Sequence, residues 1–442
     1  DSGAKAIIIL ENFAFNLSPI LADTKIETVI TTQIGDLLGS LKRVITNFVV
    51  KRIKKMVPPF QLPTAIKFND AIALGKKSNF TEVKITNDDV SFLQYTGGTT
   101  GVSKGAMLTH RNLIANLEQV SAWMSILLEE GKEVVITALP LYHVFALTCN
   151  CLVMFKLGAK NVLITNPRDM PNFIKVLKEN RFSVITGVNT LFNGLLNQSE
   201  FKNIDFSALK VAFGGGMAVQ KVVAEKWKQT TGSPLAEGYG LTETSPVLTI
   251  NPLNGTDRVG TIGLPVPSCE VKLMTDEGTE VGLNEPGELW AKGPQVMKGY
   301  WQRDEDTQIV MEGEWLKTGD VATMDKDGFI KIVDRKKEMI LVSGFNVYPN
   351  EIEDAIAQHD KVLEVGAIGV PDVKSTEAVK IYIVKKDNSL TELEIRAHAK
   401  TLLTGYKCPK YVEFIDELPK SNVGKILRRI LKENDLKQNT YL

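Results

Sequence analysis

The chain has 442 residues, of which 43% are hydrophobic and 24% charged, a composition typical of a globular protein with more than one domain. Its 52 basic and 52 acidic side chains balance, which argues against nucleic acid as an obligatory partner, because proteins that bind a phosphate backbone carry a basic excess. Four cysteines in so long a chain exclude a disulfide scaffold and indicate a reducing, cytoplasmic compartment.

The beginning of the chain lacks the pattern of a targeting segment. The opening sequence DSGAKAIIILE contains a short apolar run but neither a basic n-region nor a long h-region. The chain has no initiator methionine and reaches a strand-like segment almost at once, so we expect a fragment whose natural start lies upstream. The longest apolar run, 144–155, is too short for a membrane-spanning helix.

Strand-like and helical segments alternate along the chain before about Gly260. Strands are expected at residues 6–10, 134–138, 161–164, 182–185 and 209–213. Helices are expected at residues 112–128, 170–179 and 219–230. This alternation predicts an α/β fold with a largely parallel sheet.

The pattern changes from about Gly260 onward. Short β-type runs at 270–274, 287–291 and 330–333 are separated by Gly, Pro and Asp turns, which predicts a small β-rich subdomain. The charged run 334–338 then marks a domain boundary, which we place at 334–337.

The sequence after that boundary is again mixed. A helix start at 349–353, a strand-like run at 379–384 and a helical run at 392–403 predict a second region that contains both helices and strands.

Residues 37–60, which we call the basic stretch, combine basic and apolar side chains. Lys and Arg alternate there with Ile and Val, no acidic residue interrupts them, and Pro58-Pro59 ends the pattern. A surface helix with a solvated charged face is the ordinary interpretation of such a pattern. A sharper hypothesis is peripheral contact with an anionic membrane, on the inner face of the cell membrane.

The segment TGGTTGVSKG, residues 96–105, follows a strand-like run and is dense in Gly, Thr, Ser and Lys. Glycines let the backbone approach an anion, and successive N–H groups, hydroxyls and Lys104 supply donors and charge. The spacing is not that of a Walker motif, which argues against an ordinary P-loop NTPase. The segment predicts a loop that binds phosphates.

Three further segments are weak signals when each is taken alone. GYGLTET, at 238–244, places a hydroxyl beside a carboxylate, a pair suited to a phosphate and Mg²⁺. WLKTGD, at 315–320, places a carboxylate where it could accept hydrogen bonds from ribose hydroxyls. PKSNVGKI, at 419–426, presents Lys425 on an Asn/Gly loop, suited to neutralising a carboxylate that attacks a phosphate.

These four segments, in this order, resemble the ANL superfamily of adenylate-forming enzymes. The resemblance runs from about Phe92 to Ile430 and also includes the blocks ALPLYHVFALT, GPQVMKGYW and VDRKKEMILVSGFNVYPNEIE. Within the superfamily, the blocks look most like those of bacterial long-chain fatty-acid–CoA ligases. These enzymes normally carry a substantial N-terminal portion before the segment that corresponds to Asp1.

The resemblance implies a fold class and a domain order. It implies an α/β fold with a large N-terminal domain of α/β subdomains, residues 1–334, which includes a small β-rich subdomain at about 260–334. A hinge at 335–337, where Lys337 matches the hinge position, would precede a small mobile α+β C-terminal domain at 338–442.

The resemblance also assigns residues to ATP. The loop positions match the family's phosphate site, Asp320 its ribose-binding aspartate, and Arg335 an arginine beside the ribose and phosphates. The glycine segments match the walls around the adenine and the acyl carboxylate. The full set is Thr96, Gly97, Gly98, Thr99, Thr100, Gly101, Lys104, Gly214, Gly215, Gly216, Glu237, Gly238, Tyr239, Gly240, Asp320 and Arg335.

The remaining assignments concern catalysis. Lys425 matches the adenylation lysine, Thr242 and Glu243 match the ATP–Mg²⁺ pair with Glu243 as metal ligand, and His143 matches an aromatic position near the acyl carboxylate. After rotation of the C-terminal domain, Ser343, Gly344 and Phe345 would approach the thiol of coenzyme A.

The implied reaction joins a long-chain fatty acid to AMP, with release of pyrophosphate, and then to coenzyme A. A fatty-acyl-AMP ligase and a medium-chain acyl-CoA ligase are the alternatives within the family. A non-catalytic fragment that binds nucleotide or membrane is the alternative of another class. The preferred chain length, a homodimer and the activity of the shortened chain are left open.

Overall fold

The computed structural model describes residues 1–96 and 103–438. The chain divides into two compact units, Asp1–Thr86 and Asn87–Leu442.

The first unit is built on a small parallel sheet with the order β1-β2-β3. Its strands are β1 (Ala6–Leu10), β2 (Thr28–Thr32) and β3 (Ile66–Lys67), and its helices are α1 (Ala14–Leu17), α2 (Ser40–Phe48) and α3 (Phe68–Gly75). The first strand has the bounds that its apolar pattern predicts.

The basic stretch forms a helix on the surface of this unit. Helix α2 continues into a π-helical turn, Val49–Ile53. The apolar side chains of α2 stay in solvent, with Leu41 74%, Val44 63% and Phe48 58% exposed. The expected surface helix is therefore present, but its apolar side chains are exposed to solvent and are not buried against the rest of the unit.

The second unit begins with a hairpin that leads into a long helix. Strand β4 (Val90–Thr96) pairs antiparallel with β5 (Lys104–Thr109), and α4 (His110–Met124) follows. The helix begins where it does because the Thr109 side chain accepts from Asn112 N and the Asn112 side chain accepts from Thr109 N, a reciprocal N-terminal cap.

A larger sheet with the order β12-β11-β10-β9-β8-β6-β7 comes next. Strands β6 to β10 pair in parallel, while β11 and β12 add an antiparallel edge. The strands are β6 (Val134–Thr137), β7 (Lys160–Leu163), β8 (Val184–Gly187), β9 (Val211–Gly214), β10 (Leu235–Gly240), β11 (Val247–Ile250) and β12 (Leu264–Pro265). The helices between them are α5 (Met154–Lys156), α6 (Met170–Glu179), α7 (Asn189–Leu196) and α8 (Lys221–Thr231). The predicted α/β alternation is confirmed.

Aromatic side chains fill the core on the side of the sheet where α7 and α8 lie. Phe192 of α7 and Trp227 of α8 are both fully buried, with ring centroids 4.8 Å apart in an edge-to-face arrangement. Phe201 lies 5.4 Å from the same indole. This packing holds α7 in place against the sheet.

The predicted β-rich part follows as an antiparallel sheet. Strands β13 to β16 follow the order β13-β14-β16-β15, and β17 pairs with β16. The elements are β13 (Glu270–Met274), β14 (Gly287–Lys292), α9 (Asp304–Val310), β15 (Met311–Glu312), β16 (Trp315–Met324) and β17 (Ile330–Arg335). Asp320 and Arg335 face each other in the register of β16 and β17.

Residues 338–438, which we call the C-terminal region, form a further α+β arrangement. Its sheet has the order β19-β18-β21-β20, with β22 beside β21. The elements are β18 (Ile340–Val342), β19 (Phe345–Val347), α10 (Pro349–Ala357), β20 (Val362–Asp372), β21 (Thr376–Lys385), α11 (Glu392–Leu402), β22 (Tyr411–Phe414) and α12 (Arg428–Gln438). A separate apolar core lies between this sheet and α10 and α11.

Across residues 1–96 and 103–438, every helix falls short of the length and apolar character needed to span a bilayer. The domain boundary at 334–337 and the hinge stay predictions.

Replacing Phe192 with alanine is expected to lower the free energy of unfolding by about 3–5 kcal/mol, because the change opens a cavity beside Trp227. The measurement is the urea midpoint of the unfolding transition followed by tryptophan fluorescence. Phe155→Ala is the matched control, since Phe155 is 84% exposed and should change stability by less than about 0.5 kcal/mol. Equal midpoints for both variants would contradict the packing described for α7.

Candidate active site

The parallel strands bring their carboxyl ends to one edge of the sheet, and a cavity of about 1080 Å³ lies there. The cavity is lined by residues that follow β6, β8 and β9 and by the end of β10: the His143 loop, Val188, the Gly214–216 segment and the Gly238–240 segment. Segments far apart in sequence therefore meet because their strands run the same way.

Most of the predicted site residues line this cavity. They are Thr96, Lys104, His143, Gly214, Gly215, Gly216, Gly238, Tyr239, Gly240, Thr242, Glu243, Asp320, Arg335, Lys337 and Lys425. Gly97, Gly98, Thr99, Thr100 and Gly101 lie outside the described residues.

Glu237 has a different position from the one its motif suggested. Its side chain points toward the segment before α8, where the Val219 N–H donates to Oε1 at 3.0 Å, and it is absent from the lining of the cavity. Burial raises the pKa of Glu237 to about 8, against the hydrogen bond from Val219. Because alternate residues of a strand face opposite sides of the sheet, the neighbours of a motif glycine need not share its surface.

Two glycines of the lining lie where neighbouring parts of the chain approach closely. A Cβ on Gly240 would lie 1.9 Å from the Pro246 carbonyl oxygen, so a side chain there would displace β11. A Cβ on Gly215 would lie 3.2 Å from the Gly238 carbonyl oxygen and 3.2 Å from the Phe145 ring. The glycine motifs thus let neighbouring chain segments approach each other at the edge of the cavity.

The buried Asp320 carboxylate forms a polar cluster with Tyr239 and Arg335. The Tyr239 hydroxyl donates to Asp320 Oδ2 at 2.5 Å, and Arg335 Nε lies 3.3 Å from Oδ1. Burial raises the pKa of Asp320, while Arg335 and the Tyr239 hydrogen bond oppose that shift. The cluster presents a carboxylate of fixed orientation next to a cation at the cavity wall.

Glu243 is held by a tyrosine that the motif analysis left without a role. The Tyr300 hydroxyl donates to Glu243 Oε1 at 2.6 Å. Lys104 lies over the Tyr300 ring, 5.4 Å from its centroid, and pairs with Asp306. Tyr300 lies in the GPQVMKGYW block, which was part of the resemblance to the family. That block was the signal in the sequence that could have pointed to Tyr300, but no spacing rule singles the residue out.

The donor set near Glu243 fits Mg²⁺ only when the ligand supplies further oxygens. Among residues 1–96 and 103–438, no group of three or more His, Cys, Asp or Glu could hold a metal ion. Mg²⁺ in nucleotide sites is commonly bound by one or two carboxylates together with phosphates and waters. Glu243 beside Thr242 fits that arrangement.

Lys425 enters the cavity from the C-terminal region. Its pKa is lowered to about 8, first because burial disfavours the ammonium and next because Arg335 lies nearby, while Asp320 acts in the opposite direction. Ser421, Asn422 and Val423 of the same loop also line the cavity, which the motif analysis did not assign.

His143 lies in the cavity wall, in surroundings that favour its neutral form. Burial and then Lys425 lower the pKa of His143 below its ordinary value. The backbone N–H of Phe145 donates to Nδ1 at 3.3 Å, so Nδ1 is the unprotonated nitrogen and Nε2 carries the proton.

Ser343, Gly344 and Phe345 lie away from the cavity lining, in and beside the turn between β18 and β19. Ser343 and Gly344 have φ angles of 51° and 86°. Phe345 is 55% exposed and stacks on Tyr406 at 4.7 Å between ring centroids. In this structure Lys425, rather than this turn, faces the site.

Known proteins resemble the chain over its whole length. Residues 1–301 match the AMP-binding enzyme family, and residues 351–425 match the AMP-binding enzyme C-terminal domain. A long-chain-fatty-acid–CoA ligase of Yersinia pestis is 57% identical over 440 residues, which cover 100% of this chain and 78% of the relative. The enzyme of the same name from Haemophilus influenzae is 53% identical over 439 residues, covering 99% and 78%.

Solved structures agree with the fold. ATP-bound MatB from Rhodopseudomonas palustris superposes with a TM-score of 0.80 at 27% identity, covering 98% of this chain and 80% of that one. The anthranilate CoA ligase AuaEII, in complex with anthranoyl-AMP, superposes with a TM-score of 0.85 at 24% identity, covering 98% and 79%, and supports the fold alone. A large N-terminal domain and a smaller C-terminal one are common to this architecture. The chain therefore belongs to the AMP-binding enzymes, the ANL superfamily that its motifs indicate.

Proposed function

We propose that the chain activates a long-chain fatty acid with ATP and transfers the acyl group to coenzyme A. One observation carries the proposal: a single cavity is lined both by polar residues, among them Lys425, Asp320 and Glu243, and by apolar side chains, and we call these two parts of the lining its polar end and its apolar end. Such a cavity accommodates a nucleotide and an apolar acid together. The names of the relatives at 53% and 57% identity support the same substrate class.

The polar end is assigned to ATP. Asp320 accepts from the ribose hydroxyls, with Arg335 beside the ribose and phosphates. Thr96, Lys104 and the residues between them bind the phosphates, with Thr242 and Glu243 at the phosphates and Mg²⁺. When bound, Mg²⁺ neutralises phosphate charge; Tyr300 keeps the Glu243 carboxylate in place for it.

Lys425 acts in the first half-reaction. The acid's carboxylate oxygen forms a bond to the α-phosphorus of ATP, and the bond from that phosphorus to pyrophosphate breaks. Two anionic groups approach each other in this step, so a cation preorganised at the cavity lowers the barrier. His143, through Nε2–H, is assigned to the wall beside the acyl carboxylate, as a donor rather than a base.

The apolar end supports a fatty acyl group as substrate. Val120 and Met124 of α4, Cys149 and Phe213 line it, together with Val247 and Ile250 of β11. The 186–196 segment contributes Val188 to the lining, and Leu191, Phe192 and Leu195 of that segment lie in the hydrophobic core away from it. Transfer of an alkyl chain to this wall is favourable by about 0.8 kcal/mol for each buried CH₂ group.

The second half-reaction requires another arrangement of the C-terminal region. We place the hinge at 335–337, with Lys337 absorbing the backbone change. Rotation there would withdraw Lys425 and bring Ser343, Gly344 and Phe345 toward the thiol of coenzyme A. The thiolate then attacks the acyl carbon and AMP leaves.

The test measures pyrophosphate release from ATP and palmitate, with and without coenzyme A. Release is expected to become catalytic only with coenzyme A, and Lys425→Ala is expected to slow adenylation about 10²–10³-fold because a preorganised charge is lost. The same variant should convert supplied palmitoyl-AMP and coenzyme A to palmitoyl-CoA at the unmodified rate.

Three outcomes would favour the alternatives. Release that ignores coenzyme A would indicate an acyl-AMP ligase, and faster reaction with octanoate than with palmitate would indicate a medium-chain ligase. Nucleotide binding without any release would support the non-catalytic alternative.

The pH profile of adenylation should report the Lys425 ammonium. Because the pKa is lowered to about 8, the charged form is complete below that pH and is lost as the pH rises through it. The adenylation rate should therefore fall above about pH 8, and Lys425→Arg, whose guanidinium stays charged to about pH 12, should remove that fall. An alkaline limb that is identical in the two proteins would assign the titration to another group.

We also propose that the basic stretch contacts an anionic membrane at its surface. Apolar side chains of the helical part of this stretch are exposed, and so are Arg52 near its end and Lys54 and Lys55 just after it. Exposed apolar groups favour insertion at the headgroup boundary, and basic groups favour anionic lipid. A fatty-acid substrate would be concentrated at the same surface.

Reversing two of these charges, in Arg52→Glu/Lys54→Glu, should weaken binding to vesicles of phosphatidylglycerol and phosphatidylcholine by about 2 kcal/mol or more, roughly thirtyfold. Sedimentation with the vesicles gives the affinity. Lys175→Glu/Lys228→Glu is the control, because both lysines are exposed on helices of the second unit. Unchanged sedimentation of the first variant would refute the membrane contact.

A further inference from the structure

The C-terminal region meets the rest of the second unit through side chains of α7. The Thr190 hydroxyl donates to the Gly424 carbonyl oxygen at 2.9 Å, and Asn193 Nδ2 donates to the Leu363 carbonyl oxygen at 2.8 Å. Both acceptors are backbone atoms of the C-terminal region. A backbone carbonyl oxygen is present whatever the side chain of its residue. These two bonds therefore depend on the position of the C-terminal backbone and not on the identity of the residues at 363 and 424.

Thr190 contacts the peptide that carries Lys425. Gly424 has a φ of 83°, and a Cβ there would lie 3.0 Å from Thr190 Oγ1 and 3.2 Å from Val188 Cγ2. The loop packs so closely on the beginning of α7 that little room remains for displacement.

The loop is closed on itself, which couples Gly424 to its neighbour. Ser421 N donates to the Lys425 carbonyl oxygen at 2.8 Å, and Lys425 N donates to Ser421 Oγ at 3.2 Å. Lys420 also pairs with Glu364 at 2.7 Å, which ties the loop to β20. A displacement of the Gly424 peptide therefore moves the Lys425 backbone with it.

Further contacts link the same parts of the chain. Arg428 Nη1 donates to Asp334 Oδ1 at 3.1 Å, and the backbone N–H of Lys221 donates to Asp354 Oδ1 at 3.1 Å. Asp334 and Lys221 precede the proposed hinge, whereas Arg428 and Asp354 follow it. A rotation at 335–337 would have to break these bonds as well as those made by α7.

We propose that Thr190 is a positioning residue for adenylation: its hydroxyl holds the Gly424 peptide so that Lys425 stays in the cavity. The inference rests on the proposed function, and deepens it by naming the contact that selects the adenylating arrangement. Asn193 supports the same placement from the next turn of α7. The contact has to break before the thiol reaction, so Thr190 serves the first half-reaction and not the second.

Thr190→Val tests this, because valine keeps the branched shape and removes the donor. Its kcat for palmitate-dependent ATP–pyrophosphate exchange should fall about tenfold, since small displacements of a catalytic group carry large rate costs. Its KM for ATP, and its rate from supplied palmitoyl-AMP and coenzyme A, should equal those of the unmodified chain. Thr190→Ser, which retains a hydroxyl, should restore the exchange rate.

Thr230→Val is the matched control, because the Thr230 hydroxyl donates to the Lys226 carbonyl oxygen of its own helix at 2.8 Å. It should leave both half-reactions unchanged. Equal losses in both half-reactions of Thr190→Val would indicate a general structural role, and an unchanged exchange rate would remove the positioning role; either result overturns the proposal.

A second measurement needs no turnover. Acetylation of Lys425 by a water-soluble anhydride, followed by mass spectrometry, reports how often the loop leaves the cavity. Thr190→Val should increase the labelling rate about threefold through local opening, and Thr230→Val should not. Unchanged labelling of Thr190→Val would overturn the positioning role of Thr190, whether or not the unmodified chain releases pyrophosphate. Absence of pyrophosphate release from the unmodified chain would instead refute the proposed function.

Discussion

The parallel pairing of β6, β8, β9 and β10 is the constraint on which the site depends. Parallel strands end at one edge, so the chain must leave the sheet there and return on the other side through a helix. The segments that follow the strands are thereby gathered around one cavity. Fully buried packing of Phe192 against Trp227 then holds α7 beside the sheet, where its first turn meets the C-terminal region.

Electrostatics at the polar end follow from burial. A lysine in water would keep its charge well above neutral pH, but the pKa of Lys425 is lowered to about 8 by desolvation and by Arg335. The pKa of Asp320 shifts in the opposite direction, because burial raises the pKa of a carboxyl group. Burial thus works against the charged form of both groups.

Prediction from sequence succeeded where local signals agree with the tertiary environment. The strand Glu270–Met274 and the helix Met170–Glu179 have the bounds that their patterns predict. The strand expected at 182–185 is instead Val184–Gly187. Its bounds are set by hydrogen-bonded pairing with the neighbouring strands, where Val184 lies opposite Val135 and Val211, and not by the hydropathy of the segment. Glu237 was grouped with its glycine neighbours, yet its side chain points to the segment before α8. Pairing partners and the direction of one side chain are non-local properties that a motif does not contain.

By itself, the sequence determined the α/β class, the order of the motifs and the types of residue available for binding phosphate, ribose and a carboxylate. Those follow from local periodicity and from chemistry that a residue type carries anywhere. Only the tertiary structure decided that Tyr300 holds Glu243, that Arg335 pairs with Asp320 and that Thr190 holds the peptide before Lys425. Each of these contacts joins residues brought together by strand register or by packing between separate cores. Their geometry therefore exists only after the chain has folded.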